Sequence, residues 1–242
     1  MLIFIDVETI PSQAPGALEQ VRASLKPPGT LKKAESIAAW WATEADAAAD
    51  EAWRKQSLDG GLQGELVSIA ICEDGGREWV RCRASDEPED ELLHALFAQV
   101  DGWTVADAER LLDGRAADFP VDDHMLVAHN AAFDIGYLWR RATALGVPRP
   151  RWLPGPMARA GRDYTCTMGL WAGYGGRVSL DALCRALKVP SPKEGIDGSQ
   201  VFDAWLAGET ERIARYNLQD ARACREVFHR LVGVPGAYAR YL

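Results

Sequence analysis

Apolar residues fill the first five positions of the chain, MLIFI; the acids of DVET follow, and Pro11 closes the segment. An unbroken apolar run ended by a breaker predicts a buried strand lying in mid-sheet. The stretches GELVSIAICED and GREWVRCRA flank the turn Asp74-Gly75-Gly76 and predict a hairpin, which supplies the antiparallel part of the sheet. A short strand from Met125 to Ala128 runs into a helix beginning near Ala131, whose Ile135, Leu138, Trp139, Ala142 and Leu145 recur at helical spacing. DEPEDELLHALFAQV starts as a helix with acids in its first turns, VSLDALCRALKV is a short amphipathic helix ended by Pro190, and ETERIARYNLQDARACREVFHRLV is a longer one. The last of these turns Ile213, Leu218, Ala221, Cys224, Val227, Phe228 and Leu231 toward a core. The pattern predicts an α/β fold: a mixed sheet, antiparallel hairpin plus parallel strands, flanked by helices. Between the first strand and the hairpin, Ala34, Ala38, Trp41, Ala45, Ala48 and Ala52 fall at three- and four-residue steps and predict one long alanine-rich helix. Its Trp40, Trp41 and Trp53 are expected to pack rather than to stack on bases.

Polar positions that break this pattern carry the candidate chemistry. Asp6 and Glu8, two apart on a strand, share a face while Ile5 and Val7 take the other. Two carboxylates at the end of a buried strand repel each other and lose hydration, a cost that a cation or a proton offsets. Asp134 falls in the first turn of its helix, where the helix dipole favours an acid whatever the function. Tyr216 and Asp220 are four apart and share a helix face, which in isolation is an ordinary surface pair. His129 has no second histidine or cysteine pair at ligand spacing and reads as a packed residue or one that backs the ligands, rather than as a ligand itself. Four carboxylates on three separate segments, taken together, imply a metal-dependent nuclease.

In their order, Asp6-Val7-Glu8, Asn130-Ala131-Ala132-Phe133-Asp134 and Tyr216-Asn217-Leu218-Gln219-Asp220 resemble the three motifs of the DEDD (DnaQ-like) superfamily of 3′-5′ exonucleases. The tyrosine matches the DEDDy branch; the histidine branch carries its His five residues before the last Asp, where this chain has Arg215. IDVETIP, SLDALCRALKVPSPKEGIDGSQVF and the YNLQD helix look, more narrowly, like stand-alone proteins related to the proofreading domain of family-B DNA polymerases. The resemblance runs from residue 1 to about 232 and is weakest over 12–63 and 101–122, which are expected to be helical insertions. It implies an RNase H-like sheet and hydrolysis from the 3′ end of single-stranded nucleic acid, DNA in the first instance, releasing nucleoside 5′-monophosphates. It further implies two Mg²⁺ or Mn²⁺ ions: Asp6, Glu8 and Asp220 on the first, Asp6 bridging to a second that Asp134 supports largely through water. By the same resemblance Tyr216 orients the attacking water, and Thr9, Asn130 and Phe133 contact the terminal nucleotides. The rival expectations are the same chemistry on RNA and a non-catalytic nucleic-acid-binding module.

Composition narrows this further. At 242 residues and 48% hydrophobic content, the chain is expected to form a single domain over 1–242. No apolar run is long enough to span a bilayer, no signal peptide precedes the first strand, and no polymerase domain follows the last helix, so the expectation is a cytoplasmic protein without a membrane partner. Five cysteines without a C-x-x-C pair read as reduced core residues. A net charge of −8 argues against a protein that coats long nucleic acid, but not against an enzyme that grips a few nucleotides. Against that acidic background, 135–162 holds Arg140, Arg141, Arg149, Arg151, Arg159 and Arg162 with no acid, either a solvated basic face or a phosphate track beside Asp134; Arg140 and Arg141, within the helix, read as plain surface, and Lys32, Lys33 and Lys193 are the next cations to consider.

Overall fold

A computed structural model describes residues 1–112, 124–191 and 195–233, without the side chains of 108–112. Among the described residues, five strands form one mixed sheet in the order β3-β2-β1-β4-β5. β1 (Leu2–Ile10) pairs antiparallel with β2 (Glu65–Glu73), and β2 pairs antiparallel with β3 (Glu78–Cys82). β4 (Met125–Ala128) runs parallel to β1, and β5 (Thr165–Cys166) parallel to β4. The apolar run of the first strand therefore does lie in mid-sheet, buried from both sides.

Strand alternation sorts the two faces of β1. Ile3, Ile5 and Val7 pack with Leu92 and Leu96 of α4 (Glu89–Leu112) and with Ile135 and Leu138 of α5 (Ala131–Ala144). Leu2 and Phe4 face the other way, onto Ala221, Cys224 and Phe228 of α9 (Thr210–Val232). Asp6 and Glu8 continue that second face. The β1–β4 pairing spans only Leu2 to Phe4 against Met125 to Val127. Past it, β1 keeps β2 on one side, while the chain leaving β4 turns away into α5. A crevice opens at the carboxyl ends of the two parallel strands, the place where α/β sheets present ligands.

The segment between β1 and β2 departs from expectation. In place of one long alanine-rich helix there are two, α2 (Ala34–Thr43) and α3 (Ala45–Arg54), after a short α1 (Ala17–Ser24). Trp40, Ala45 and Ala49 are all buried. At about 100° per residue, one straight helix would set Ala45 and Ala49 roughly 140° and 180° away from Trp40, so no single face could bury them. The break at Glu44, φ −121°, resolves that conflict. Trp53 is a packing residue as expected: its indole donates to the Ser12 carbonyl at 2.9 Å and meets Phe202 edge-on at 5.2 Å.

Among the described residues the remaining α-helices are α6 (Thr167–Ala172), α7 (Leu180–Leu187) and α8 (Val201–Leu206). α4 carries on to Leu112 and so occupies the first half of the expected 101–122 insertion; 113–122 lies outside the described residues. All five cysteines are free, with Cys72, Cys184 and Cys224 buried.

Candidate active site

Asp6 and Glu8 from β1 and Asp220 from α9 each bring one carboxylate oxygen within 4.8 Å of the others. Asp134, from the first turn of α5, lines the same pocket of about 230 Å³, together with Asn130 and Phe133. Glu8 and Asp134 are only 9% and 5% exposed, so these acids stand largely out of water. Asp134 is tied to β1 directly: its Oδ1 accepts a hydrogen bond from the Val7 amide at 3.2 Å. That amide lies beyond the last residue of β1 paired with β4, so the carboxylate takes the place of the missing strand.

Burial, and after it crowding, raises Asp6, Glu8 and Asp134 alike. Asp6 is pushed well above the ordinary carboxylate range by burial, then by the charges of Asp220, Asp134 and Glu8, and the amide of Asn217 pulls it back only in part. Glu8 is raised likewise by burial and by Asp220 and Asp134. Burial lifts Asp134 to about 7, against the lowering effect of its backbone hydrogen bonds. Tyr216 is partly buried against the cluster of Ile10, Val67 and Ile213, and its hydroxyl feels the charges of Glu8, Asp220 and Asp6. Burial and the neighbouring charges of Glu8, Asp220 and Asp6 hold that phenol far above its usual range, so it stays protonated and remains a donor.

The geometry adds two polar residues that the motif reading left without a role. Asn217 is fully buried, donates to Asp6 Oδ2 at 2.6 Å, and accepts from the Ser68 hydroxyl of β2 at 2.8 Å. This relay fixes the rotamer of Asp6. The signal in the sequence was an asparagine four residues from Ile213 and four from Ala221, in the middle of the apolar stripe of α9.

The other candidates separate. Asn130 opens α5 in the left-handed conformation, φ 60°, which asparagine tolerates better than most residues. Phe133 lies 5.3 Å from Tyr137, ring to ring. Thr9 sits just past a register shift in β1 and donates its hydroxyl to the Ser57 carbonyl at 2.6 Å, which ties β1 to the inserted segment. His129 is a packed residue, as expected: its ring nitrogens meet the Thr167 hydroxyl at 3.0 Å and the Val178 carbonyl at 2.8 Å, and burial lowers its pKa.

The arginine-rich stretch is largely engaged within the protein. Arg141, which reads from the helix pattern as plain surface, is buried and forked onto Glu89 at 2.6 and 2.9 Å. Arg140 donates to the Gly60 carbonyl, Arg149 lies 4.7 Å over Trp139, and Arg162 pairs with Asp163 at 2.7 Å. Lys193 lies outside the described residues.

A family model described as a predicted 3′-5′ exonuclease related to the exonuclease domain of PolB matches residues 65–238. The chain belongs to that family. The matched residues of this PolB-exonuclease relative include Asp134, Tyr216 and Asp220, and the fold adds Asp6 and Glu8 from outside them. A solved family B DNA polymerase from the hyperthermophilic archaeon Pyrobaculum calidifontis is similar over 100% of this chain, with a TM-score of 0.55 at 16% identity. This chain spans 27% of that polymerase, and the likeness supports the RNase H-like fold. A search of curated proteins found no match.

The donor set fits a divalent cation. Asp6, Glu8 and Asp220 crowd into one pocket, where burial and then the neighbouring charges raise Asp6 and Glu8 toward protonation, and together they form an all-oxygen site whose repulsion a hard ion relieves.

Proposed function

We propose that this protein is a metal-dependent 3′-5′ exonuclease acting on single-stranded DNA and releasing nucleoside 5′-monophosphates. The observation that carries the proposal is the convergence of Asp6, Glu8 and Asp220 within 4.8 Å, with Asp134 on the same pocket. Asp6, Glu8 and Asp220 would hold one Mg²⁺ or Mn²⁺, and Asp6 and Asp134 a second. When bound, such a pair supplies Lewis-acid activation of water and neutralises the charge that builds on the phosphoryl oxygens.

The chain's own groups do the rest. Asn217 holds Asp6 in one orientation. Tyr216, kept protonated, offers its hydroxyl to orient the attacking water beside Asp220. Phe133 offers an apolar edge to the terminal nucleotide and Asn130 an amide. Thr9 acts by anchoring the end of β1 beside the site rather than by touching substrate. The described parts of the insertions pack onto the same sheet and helices, which supports 1–242 as one exonuclease domain.

Matched DNA and RNA oligonucleotides labelled at the 5′ end test the reading. With Mg²⁺ or Mn²⁺ the DNA is expected to shorten from its 3′ end one nucleotide at a time, and neither EDTA nor Ca²⁺ is expected to support the reaction, since Ca²⁺ accepts looser geometry. Full activity in chelator overturns the metal assignment. Preferential loss of the RNA overturns the choice of DNA.

A further inference from the structure

The acidic pocket adjoins a much larger opening. A cleft of about 1250 Å³ shares His129 and Asn130 with it, so a chain held at Asn130 can continue into the larger space. That volume exceeds the roughly 300–1,000 Å³ of ordinary small-ligand pockets. The described residues lining the cleft include no Asp or Glu, although the chain as a whole carries a net charge of −8. Arg177, exposed, stands on its wall. This is a surface on which a polyanion can lie.

The same wall holds out an aromatic ring. Gly173 and Gly175 have φ of 74° and 77°, and a Cβ on Gly176 would lie 2.3 Å from the Ala172 carbonyl oxygen, so the loop between α6 and α7 follows its path only with glycine at all three places. Between them, Tyr174 is fully exposed, and the preceding Leu170 and Trp171 are half exposed. A fold that spends three glycines on presenting a tyrosine beside an acid-free cleft has the parts of a base-stacking platform, since any base offers a face to such a ring.

We propose that this cleft seats the nucleotides immediately 5′ of the scissile one, with a base stacked on Tyr174 and a phosphate beside Arg177. Tyr174 is then a positioning residue that makes longer single strands better substrates than a single nucleotide. The inference rests on the nuclease reading above.

The test compares wild type, Tyr174→Ala and Tyr174→Phe on two substrates: the p-nitrophenyl ester of thymidine 5′-monophosphate, which places one nucleotide at the site, and a short single-stranded thymidine oligonucleotide. Tyr174→Ala is expected to raise KM for the oligonucleotide about tenfold with kcat unchanged, to leave the ester's kcat/KM unchanged, and to be rescued by Phe. Fluorescence anisotropy of the labelled oligonucleotide with Ca²⁺ in place of Mg²⁺ should show the same loss of about tenfold without turnover. Unchanged oligonucleotide KM and affinity in Tyr174→Ala overturns the inference while leaving the nuclease reading intact, and so does an equal loss on ester and oligonucleotide. If wild type cleaves neither substrate yet binds the oligonucleotide in a Tyr174-dependent way, the cleft assignment stands and the catalytic reading fails. If it neither cleaves nor binds, both fail.

Discussion

Replacing Asp134 by asparagine separates its charge from its hydrogen bond. Asn keeps an oxygen that can accept from the Val7 amide, as Asp134 Oδ1 does at 3.2 Å, but it carries no charge. In the folded protein without metal, burial holds the Asp134 carboxyl at about 7 against an ordinary 3.8. A raised carboxyl pKa means that the folded state loses stability as pH climbs from about 4 to above 7, with the full penalty near pH 8. A shift from 3.8 to about 7 corresponds to at most about 4 kcal/mol. Asp134→Asn is therefore expected to match wild type near pH 4 and to exceed it by up to about 4 kcal/mol at pH 8 in EDTA. For a chain of this size each kcal/mol raises Tm by about 2–4 °C. Asp134→Ala should gain less, because it leaves the Val7 amide without its acceptor at a cost of about 1–3 kcal/mol. Urea and thermal unfolding from pH 4 to 8.5 in EDTA measure all three proteins. If the Asn variant is less stable than wild type at pH 8, or its advantage is the same at pH 4 and pH 8, the picture of a buried, charge-crowded Asp134 is wrong.

Tyr216→Phe should abolish most hydrolysis while calorimetry shows unchanged metal affinity, since only a hydroxyl beside the carboxylates is removed; weakened metal binding would instead make Tyr216 part of the ligand cage. Asn217→Ala unties Asp6 from Ser68 and is expected to lower activity or metal affinity by about 10–100-fold, read from rates at saturating Mg²⁺ and from titration, with full activity refuting the relay. Arg141→Ala strands Glu89 in the core and should cost about 3–5 kcal/mol in urea unfolding, whereas a change near zero would show that the pair is not buried in solution. Asp6→Ala, Glu8→Ala and Asp220→Ala should each remove nearly all hydrolysis in the oligonucleotide assay, and one variant with near wild-type turnover would break the proposed ligand set.

Local pattern was enough for those parts of the fold where one period holds over several residues. The apolar run into DVET, the hairpin around Asp74-Gly75-Gly76 and the stripe of α9 all appear where the sequence places them. Elements that are short, or that carry two faces, were not legible. β5 is only two residues, too few to show an alternation, and it is ordered by pairing with Val127 and Ala128. The alanine run of α2 and α3 satisfies a helical period throughout, and its break follows from where Trp40, Ala45 and Ala49 must be buried, a tertiary demand. Arg141 looked like surface for the same reason: its partner Glu89 lies 52 residues away, and only the packing of α5 against α4 brings them together.

The site shows the same division between what spacing can and cannot carry. Asp6 with Glu8, and Tyr216 with Asp220, are pairs set by local geometry, so strand and helix periods suffice to place each pair on one face. What brings the pairs and Asp134 together is the early end of the β1–β4 ladder at Phe4 and Val127. That divergence does two things at once. It opens the crevice in which the carboxylates crowd, and it frees the Val7 amide that Asp134 then accepts. The same bond opposes the rise in the Asp134 pKa, so this acid is held at about 7, with burial driving it up and the strand's own backbone restraining it. Of the three segments that carry the acids, the first turn of α5 is thus the one whose position depends most on the sheet, which is why Asp134 in isolation could equally have been read as a dipole-favoured acid of an ordinary helix.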